Sequence, residues 1–66
     1  MRMKLTKMDM AKVIVTALYN LPKLVTENNT IAWRSAKKMV RKSTVEQLEP
    51  QYELAHKILT DRVRSK

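Results

Sequence analysis

The chain contains no glycine, no cysteine and no phenylalanine among its 66 residues. Glycine is the usual residue of left-handed turns and sheet hairpins, so its absence favours helices joined by turns that contain asparagine. Without glycine the chain also cannot form a phosphate-cradling loop or a dinucleotide-binding motif. The absence of cysteine excludes disulfide frameworks and thiolate zinc sites. Since no stretch alternates with a two-residue period either, we expect an all-α domain.

Long apolar runs are also missing. The uninterrupted apolar stretch runs from Val13 to Leu18 with Thr16 inside it, far short of the about 20 residues that a membrane-spanning helix needs. Positive charge precedes this stretch, as it does in a secretory signal. Asp9 and Lys12 interrupt that pattern, however. We therefore expect no membrane attachment and a cytoplasmic location, or a nuclear one in a eukaryote.

Groups that could perform catalysis are scarce. His56 is the single histidine and the only plausible general base, and Asp61, five residues later, lies on a different side of a helix. One histidine cannot by itself hold a metal. A chain of 66 residues is near the lower size limit for independent folding, which leaves little room for a deep pocket. We predict no enzyme, no cofactor, no metal and no small-molecule substrate.

The first helix is predicted over residues 6–21. Thr6 can accept a hydrogen bond from a first-turn amide while Asp9 reaches back, which is a capping box, and Pro22 would end the helix. Its apolar side chains cover about two thirds of the circumference, which is wider than the roughly 100° stripe of a helix lying on a core. This helix is therefore either the central element of the fold or the seam of a homodimer. The small size of the domain favours a homodimer through residues 8–21.

The remaining elements complete a bundle of three to four helices within a single domain, residues 1–66. Pro22 suits the first position of a short helical turn. Ser43 or Thr44 would cap the last helix, with Glu46 three residues after Ser43 repeating the capping-box pattern, and Pro50 would interrupt that helix. The predicted elements are a turn at 22–27, a helix at 30–42 capped by Asn29 or Thr30, a short helix at 44–49 that continues as 50–64, and frayed ends at 1–4 and 64–66.

The second helix is expected to be sharply two-sided. The chain carries a net charge of +8, and five cations fall on one face of this helix with no acid among them. An apolar sector of about 120° lies opposite. The apolar face comprises Ala32, Trp33, Ala36, Met39 and Val40, and the basic face comprises Arg34, Lys37, Lys38, Arg41 and Lys42.

This basic face predicts a site for an anionic partner. Lys and Arg displace counterions from a phosphate backbone, so we expect a small nucleic-acid-binding protein that prefers DNA to RNA and acts as a regulator or accessory factor through helix 31–42. Arg34 near the helix start would reach a base edge, and the other four cations would contact phosphates. Trp33 is expected in the core, with base stacking as the alternative.

The segment from Leu24 to Val40 resembles a helix-turn-helix in outline, with a short helix, a turn and a basic helix. It departs from that pattern in having asparagine at the turn, where glycine is usual. The alternative function is a protein-interaction module or inhibitor that docks the same basic helix on an acidic protein.

Overall fold

The computed structural model describes residues 5–64, which form three helices: α1 (Lys7–Leu18), α2 (Thr30–Lys42) and α3 (Val45–Arg64). That part of the chain contains no strand, so the predicted small all-α bundle is confirmed. No helix within residues 5–64 has the length and apolar character needed to cross a membrane. Of the ends expected to fray, residues 1–4 and 65–66 lie outside the described residues, whereas Arg64 is the last residue of α3.

The start of α1 is fixed by the predicted capping box. Thr6 is the N-cap, and its hydroxyl accepts a hydrogen bond from the Asp9 amide at 3.1 Å while its own amide donates to the Asp9 carboxylate at 3.2 Å. Hydrogen bonds from Thr6 hold the pKa of the Asp9 carboxyl below its ordinary value, and the backbone amide of Thr6 has a larger effect than its side chain. The positive charge of Lys12 makes a smaller contribution in the same direction. This local sequence pattern therefore determines where the chain enters its first helix.

The end of α1 comes earlier than the sequence predicted. The helix stops at Leu18, because Asn20 adopts a left-handed conformation with φ of 52°. The amide of Leu21 then donates to the carbonyl of Thr16, and the amide of Asn20 donates to that of Ala17, which together form a Schellman motif. An asparagine turn, rather than the proline that follows it, thus terminates the helix.

The connection between α1 and α2 contains no helix, so the predicted helical turn at residues 22–27 is wrong. It is held instead by Val25, which is 2% exposed and whose amide donates to the Thr16 hydroxyl at 3.0 Å. That hydroxyl donates in turn to the Lys12 carbonyl at 2.6 Å. Leu24, the residue before Val25, is exposed.

Side-chain caps also define the other two helix starts. Asn29 is the N-cap of α2 and accepts from the Ala32 amide, as predicted. At α3 the capping box is formed by Thr44 and Gln47, through hydrogen bonds of 2.9 and 3.3 Å. The alternative pairing of Ser43 with Glu46 is wrong, because Ser43 is the extended C-cap residue of α2.

α3 continues through Pro50 as one helix of 20 residues. The predicted division into helices 44–49 and 50–64 is therefore wrong. Proline at this position removes the hydrogen bond from its own amide to the carbonyl four residues earlier, and its ring also crowds that carbonyl. Leu48 before the proline and Ala55 after it are both buried in the same cluster, and burying both requires the two parts of the helix to stay in register. Packing thus outweighs the local cost of proline.

The core is arranged on both sides of α1. One cluster joins α1 to α2 and the connection before it, and consists of Ala11, Val15, Val25, Ala32 and Ala36. The other joins α1 to α3, and consists of Met10, Ile14, Leu48 and Ala55. Leu48 lies near the start of α3 in the cluster with Met10, while Arg62 near its end reaches Leu21, so α1 and α3 run in the same direction. α1 is the central element of the fold.

This arrangement covers most of the face predicted to be a homodimer seam. Two helices bury Met10, Ala11, Ile14 and Val15 within the chain, so the central position of α1 accounts for most of its wide apolar arc. What stays uncovered is the last turn, where Leu18 is 69% exposed.

We predict that Leu48→Ala lowers the free energy of unfolding by about 2–5 kcal/mol, the usual cost of truncating a buried leucine. Leu48 is 0% exposed and belongs to the cluster that joins α3 to α1. The matched control is Leu54→Ala on the same helix, where the leucine is 63% exposed and the expected change is within about 0.5 kcal/mol. Urea denaturation measures both, and equal effects would contradict the described packing of α3.

The Asp9 cap predicts a pH dependence of stability. Because the folded pKa of Asp9 is lowered, its contribution is fully present above the ordinary pKa of an aspartate and is lost as the pH falls through the lower folded value. The difference in unfolding free energy between the wild type and Asp9→Asn should therefore be constant near neutral pH and shrink in acid. Thermal unfolding followed by circular dichroism between pH 7 and pH 2 measures this, and a difference that grows in acid would refute it.

Candidate functional site

The buried face of α2 is built from small side chains. Ala32 and Ala36, one turn apart, have no exposed surface and lie in the cluster with Ala11 and Val15 of α1. Alanine at a helix contact allows two helices to approach closely, because little side-chain volume separates them. The sequence predicted this apolar face of α2, and in the structure it packs against α1.

The opposite face of α2 presents the predicted cations to solvent. All five of the predicted side chains are exposed, and within residues 5–64 none of them forms an ion pair or a side-chain hydrogen bond. Four of them line a shallow depression of about 240 Å³, and Lys42 lies on the same helix outside it. The four lining residues are Arg34, Lys37, Lys38 and Arg41.

The spacing of these cations makes a continuous stripe. Positions 34, 37, 38, 41 and 42 follow each other at intervals of three, one, three and one, so they occupy one face over about two turns and about 12 Å of helix axis. Unpaired like charges at this spacing repel each other modestly. An anion that contacts several of them relieves that repulsion.

Trp33 lies at the boundary between the two faces. It is half-buried and packs against the cluster between α1 and α2, while the ammonium group of Lys12 lies 5.2 Å from its ring centroid. This distance is within the range of a cation–π contact. The indole ring therefore has protein on one side and a cation from α1 near it, as expected of a residue that anchors the core. Lys12 adds a further positive charge beside the first turn of α2.

A hydrogen bond at the end of α1 also orients α2. The Tyr19 hydroxyl and the Ser35 hydroxyl lie 2.7 Å apart. Since the Ser35 hydroxyl donates to the Ile31 carbonyl at 3.2 Å, the Tyr19 hydroxyl is the donor to Ser35. With the alanine contacts, this bond holds the rotation of α2 about its axis and so the direction in which the stripe faces.

Most of the acidic residues lie on a different helix from the stripe. None of the chain's six acids falls on α2, and four of them fall on α3, on the other side of the central helix. These four are Glu46, Glu49, Glu53 and Asp61. The bundle is therefore asymmetric, because α2 carries five cations and no acid, whereas α3 carries four acids and three cations.

The described residues contain little else with catalytic or metal-binding potential. His56 is exposed, and its ring lies 5.8 Å from that of Tyr52. No group of three or more His, Cys, Asp or Glu side chains within residues 5–64 is placed to hold a metal ion. An exposed stripe of cations can bind anions through charge-assisted hydrogen bonds, and this is the chemistry that α2 offers.

The helix-turn-helix outline is not confirmed. Residues 22–27 are not helical, and the helix before α2 is α1, from which α2 is separated by residues 19–29. A helix-turn-helix motif uses a turn of about 3–4 residues. The stripe is presented by an outer helix of the bundle instead.

Two features near functional surfaces were missed by the sequence interpretation. Neither Lys12 nor Arg62 was among the predicted binding residues. Each depends on a contact between helices, since Lys12 lies over Trp33 and Arg62 bonds to the carbonyl of Leu21. No local pattern in the sequence predicts either contact.

No family model matches the chain, and no curated protein or solved structure shows a significant match to it.

Proposed function

We propose that this protein binds nucleic acid through the basic stripe of α2, prefers duplex DNA to RNA, and acts as a regulator or accessory factor. The observation that carries the proposal is the stripe itself, in which five exposed cations on one helix face have no acidic partner within residues 5–64. A solvated charged face usually mixes both signs. A helix face that carries only positive charge, opposite a face of buried alanines, is suited to binding a phosphate backbone.

The preference for DNA follows from the shape of α2. It is a regular helix of 13 residues, so it is about 20 Å long and 10–12 Å wide with its side chains. The major groove of B-form DNA is about 12 Å wide and admits a helix, whereas the major groove of A-form RNA is deep and narrow. The exposed face of α2 can follow a DNA groove wall, with its apolar face held on α1.

The cations along the helix would make two kinds of contact with DNA. Arg34, on the second turn of α2, is the candidate for a base edge, because its guanidinium can donate two parallel hydrogen bonds to guanine. Lys37, Lys38, Arg41 and Lys42 would contact phosphates, which fix position without reading sequence.

The test is binding to a fluorescent DNA duplex measured by anisotropy at several salt concentrations. We expect the wild type to bind at low salt and the triple variant Lys37→Glu, Lys38→Glu, Arg41→Glu to bind at least tenfold more weakly. Its slope of log affinity against log salt should fall in magnitude by about 3, since each lost phosphate contact contributes about 0.9.

The matched control reverses three exposed cations outside α2, namely Lys23→Glu, Lys57→Glu and Arg64→Glu. It changes the net charge equally, so equal weakening in both variants would assign binding to net charge rather than to the stripe. No binding of the wild type at low salt would end the proposal. A duplex RNA of the same sequence bound as tightly as the DNA would refute the preference for DNA.

The same surface suits the alternative function, docking on an acidic protein. Exposed apolar residues favour this alternative, because Leu18, Leu54 and Ile58 surround a small apolar groove between α1 and α3. A partner captured with the purified chain that survives nuclease treatment, together with absent DNA binding, would support the alternative.

A homodimer is proposed on a smaller surface than residues 8–21, since most of that face is buried within the chain. The groove beside Leu18 is the part of it that remains open. Sedimentation equilibrium at high micromolar concentration should show a dimer, and Leu18→Lys should shift the protein to monomer, because a buried lysine at an apolar contact is costly. Lys23→Ala, at an exposed position outside the groove, should leave the dimer intact. A wild-type monomer at that concentration would refute the dimer.

A further inference from the structure

A second candidate site lies at the opposite end of the bundle from the capping box of α1. The end of α1, the connection that follows it and the last turns of α3 enclose a cleft of about 440 Å³. This volume falls within the range of small-molecule sites. Leu21 and Leu24 form one side of the cleft and Leu59 and Val63 the other, so its walls are predominantly apolar.

Arg62 provides the polar group in this apolar cleft. Its Nη2 donates a hydrogen bond to the carbonyl of Leu21 at 3.2 Å, across 41 residues of sequence. Its Nη1 is buried and has no hydrogen-bond partner. Leaving a buried charged donor without an acceptor is unfavourable, and in native structures such a group is explained by strain, by a functional role, or by a bound water or ion. Arg62 therefore brings to the cleft a guanidinium group whose hydrogen-bonding capacity the described protein groups do not fully use.

The remaining lining groups specify the charge of that acceptor. The cleft is lined by two cations, Arg62 and Lys23, and by no acidic side chain within the described residues. The Thr16 hydroxyl, also on the wall, already donates to Lys12 and accepts from Val25. The available side-chain donors are thus cationic, and they match an anion.

The apolar walls restrict the kind of anion further. A guanidinium group pairs equally well with a carboxylate or a phosphate. A fully hydrated anion such as inorganic phosphate would gain nothing from Leu24, Leu59 and Val63, whereas an alkyl chain attached to the anion would bury apolar surface against them. Apolar walls with a few placed polar groups are typical of small-molecule sites, and a cationic group among them suits an amphiphilic anion.

We propose that this cleft binds a small anion with an apolar chain, a carboxylate or a phosphate ester, whose charged group pairs with the guanidinium of Arg62 and whose chain lies against Leu24, Leu59 and Val63. Lys23 at the exposed rim attracts the anion without burying its own charge. This proposal departs from our sequence-based expectation of no small-molecule substrate. It is independent of the stripe on α2, which contributes no residue to the cleft.

The test is an NMR titration of the full chain with octanoate, followed at the backbone amides of Leu24, Leu59 and Val63. We expect saturable shifts at these amides. Arg62→Met, which keeps the apolar stem and removes the guanidinium, should weaken binding at least tenfold. Arg64→Met, the same change two residues later at an exposed position, should leave the affinity within twofold of the wild type. Equal octanoate binding by Arg62→Met and the wild type would overturn the proposal.

Two further probes test the ligand class on the wild type alone, so they decide even if Arg62→Met fails to fold. 1-Octanol carries the chain without the charge, and inorganic phosphate carries charge without the chain. We expect neither to produce saturable shifts at these three amides at concentrations that saturate octanoate. Octanol binding as tightly as octanoate would remove the role of Arg62, and phosphate binding as tightly at the same amides would remove the role of the apolar walls. An absence of octanoate binding would overturn the proposal outright.

Discussion

The fold depends on α1 packing in two directions at once. Ala11 and Val15 belong to one cluster while Met10 and Ile14 belong to the other, so a helix of 12 residues contributes to both parts of the core. A chain of this size has too little material for two separate cores. The outer helices therefore need only one apolar face each, which leaves the far face of α2 free to carry charge and lets α3 extend beyond the end of α1 to Arg62.

Features of the structure set by neighbouring residues were predictable from sequence. The Thr6–Asp9 box, the Asn29 cap and the opposed faces of α2 depend on spacings of three or four residues, which a helix fixes. Errors arose where several local patterns competed. Ser43 and Thr44 both precede a suitable residue at the third position, and the structure uses Thr44 with Gln47. Pro50 has a local cost that the burial of Leu48 and Ala55 offsets.

The two candidate sites differ in how much of each could be predicted from the sequence. The stripe on α2 follows from helical periodicity alone, so its five residues could be named before the fold was known. The cleft at Arg62 could not, because it forms only when residues 41 positions apart meet at the end of α1. A cation near a chain end gives no sign that one of its nitrogens will be buried. Sites on one element are readable from sequence, whereas sites between elements require the packing.

Asn20 connects the composition of the chain with its stability. It adopts the left-handed conformation that ends α1, at a position where glycine is the usual choice. A glycine there would fit the turn as well, but it would also give the unfolded chain more conformations that folding must then remove. Because the chain makes this turn with asparagine and has no glycine elsewhere, its unfolded ensemble is narrower than that of a typical sequence of equal length. Part of the stability of this small bundle therefore resides in the restricted freedom of its unfolded state, outside any contact in the folded one.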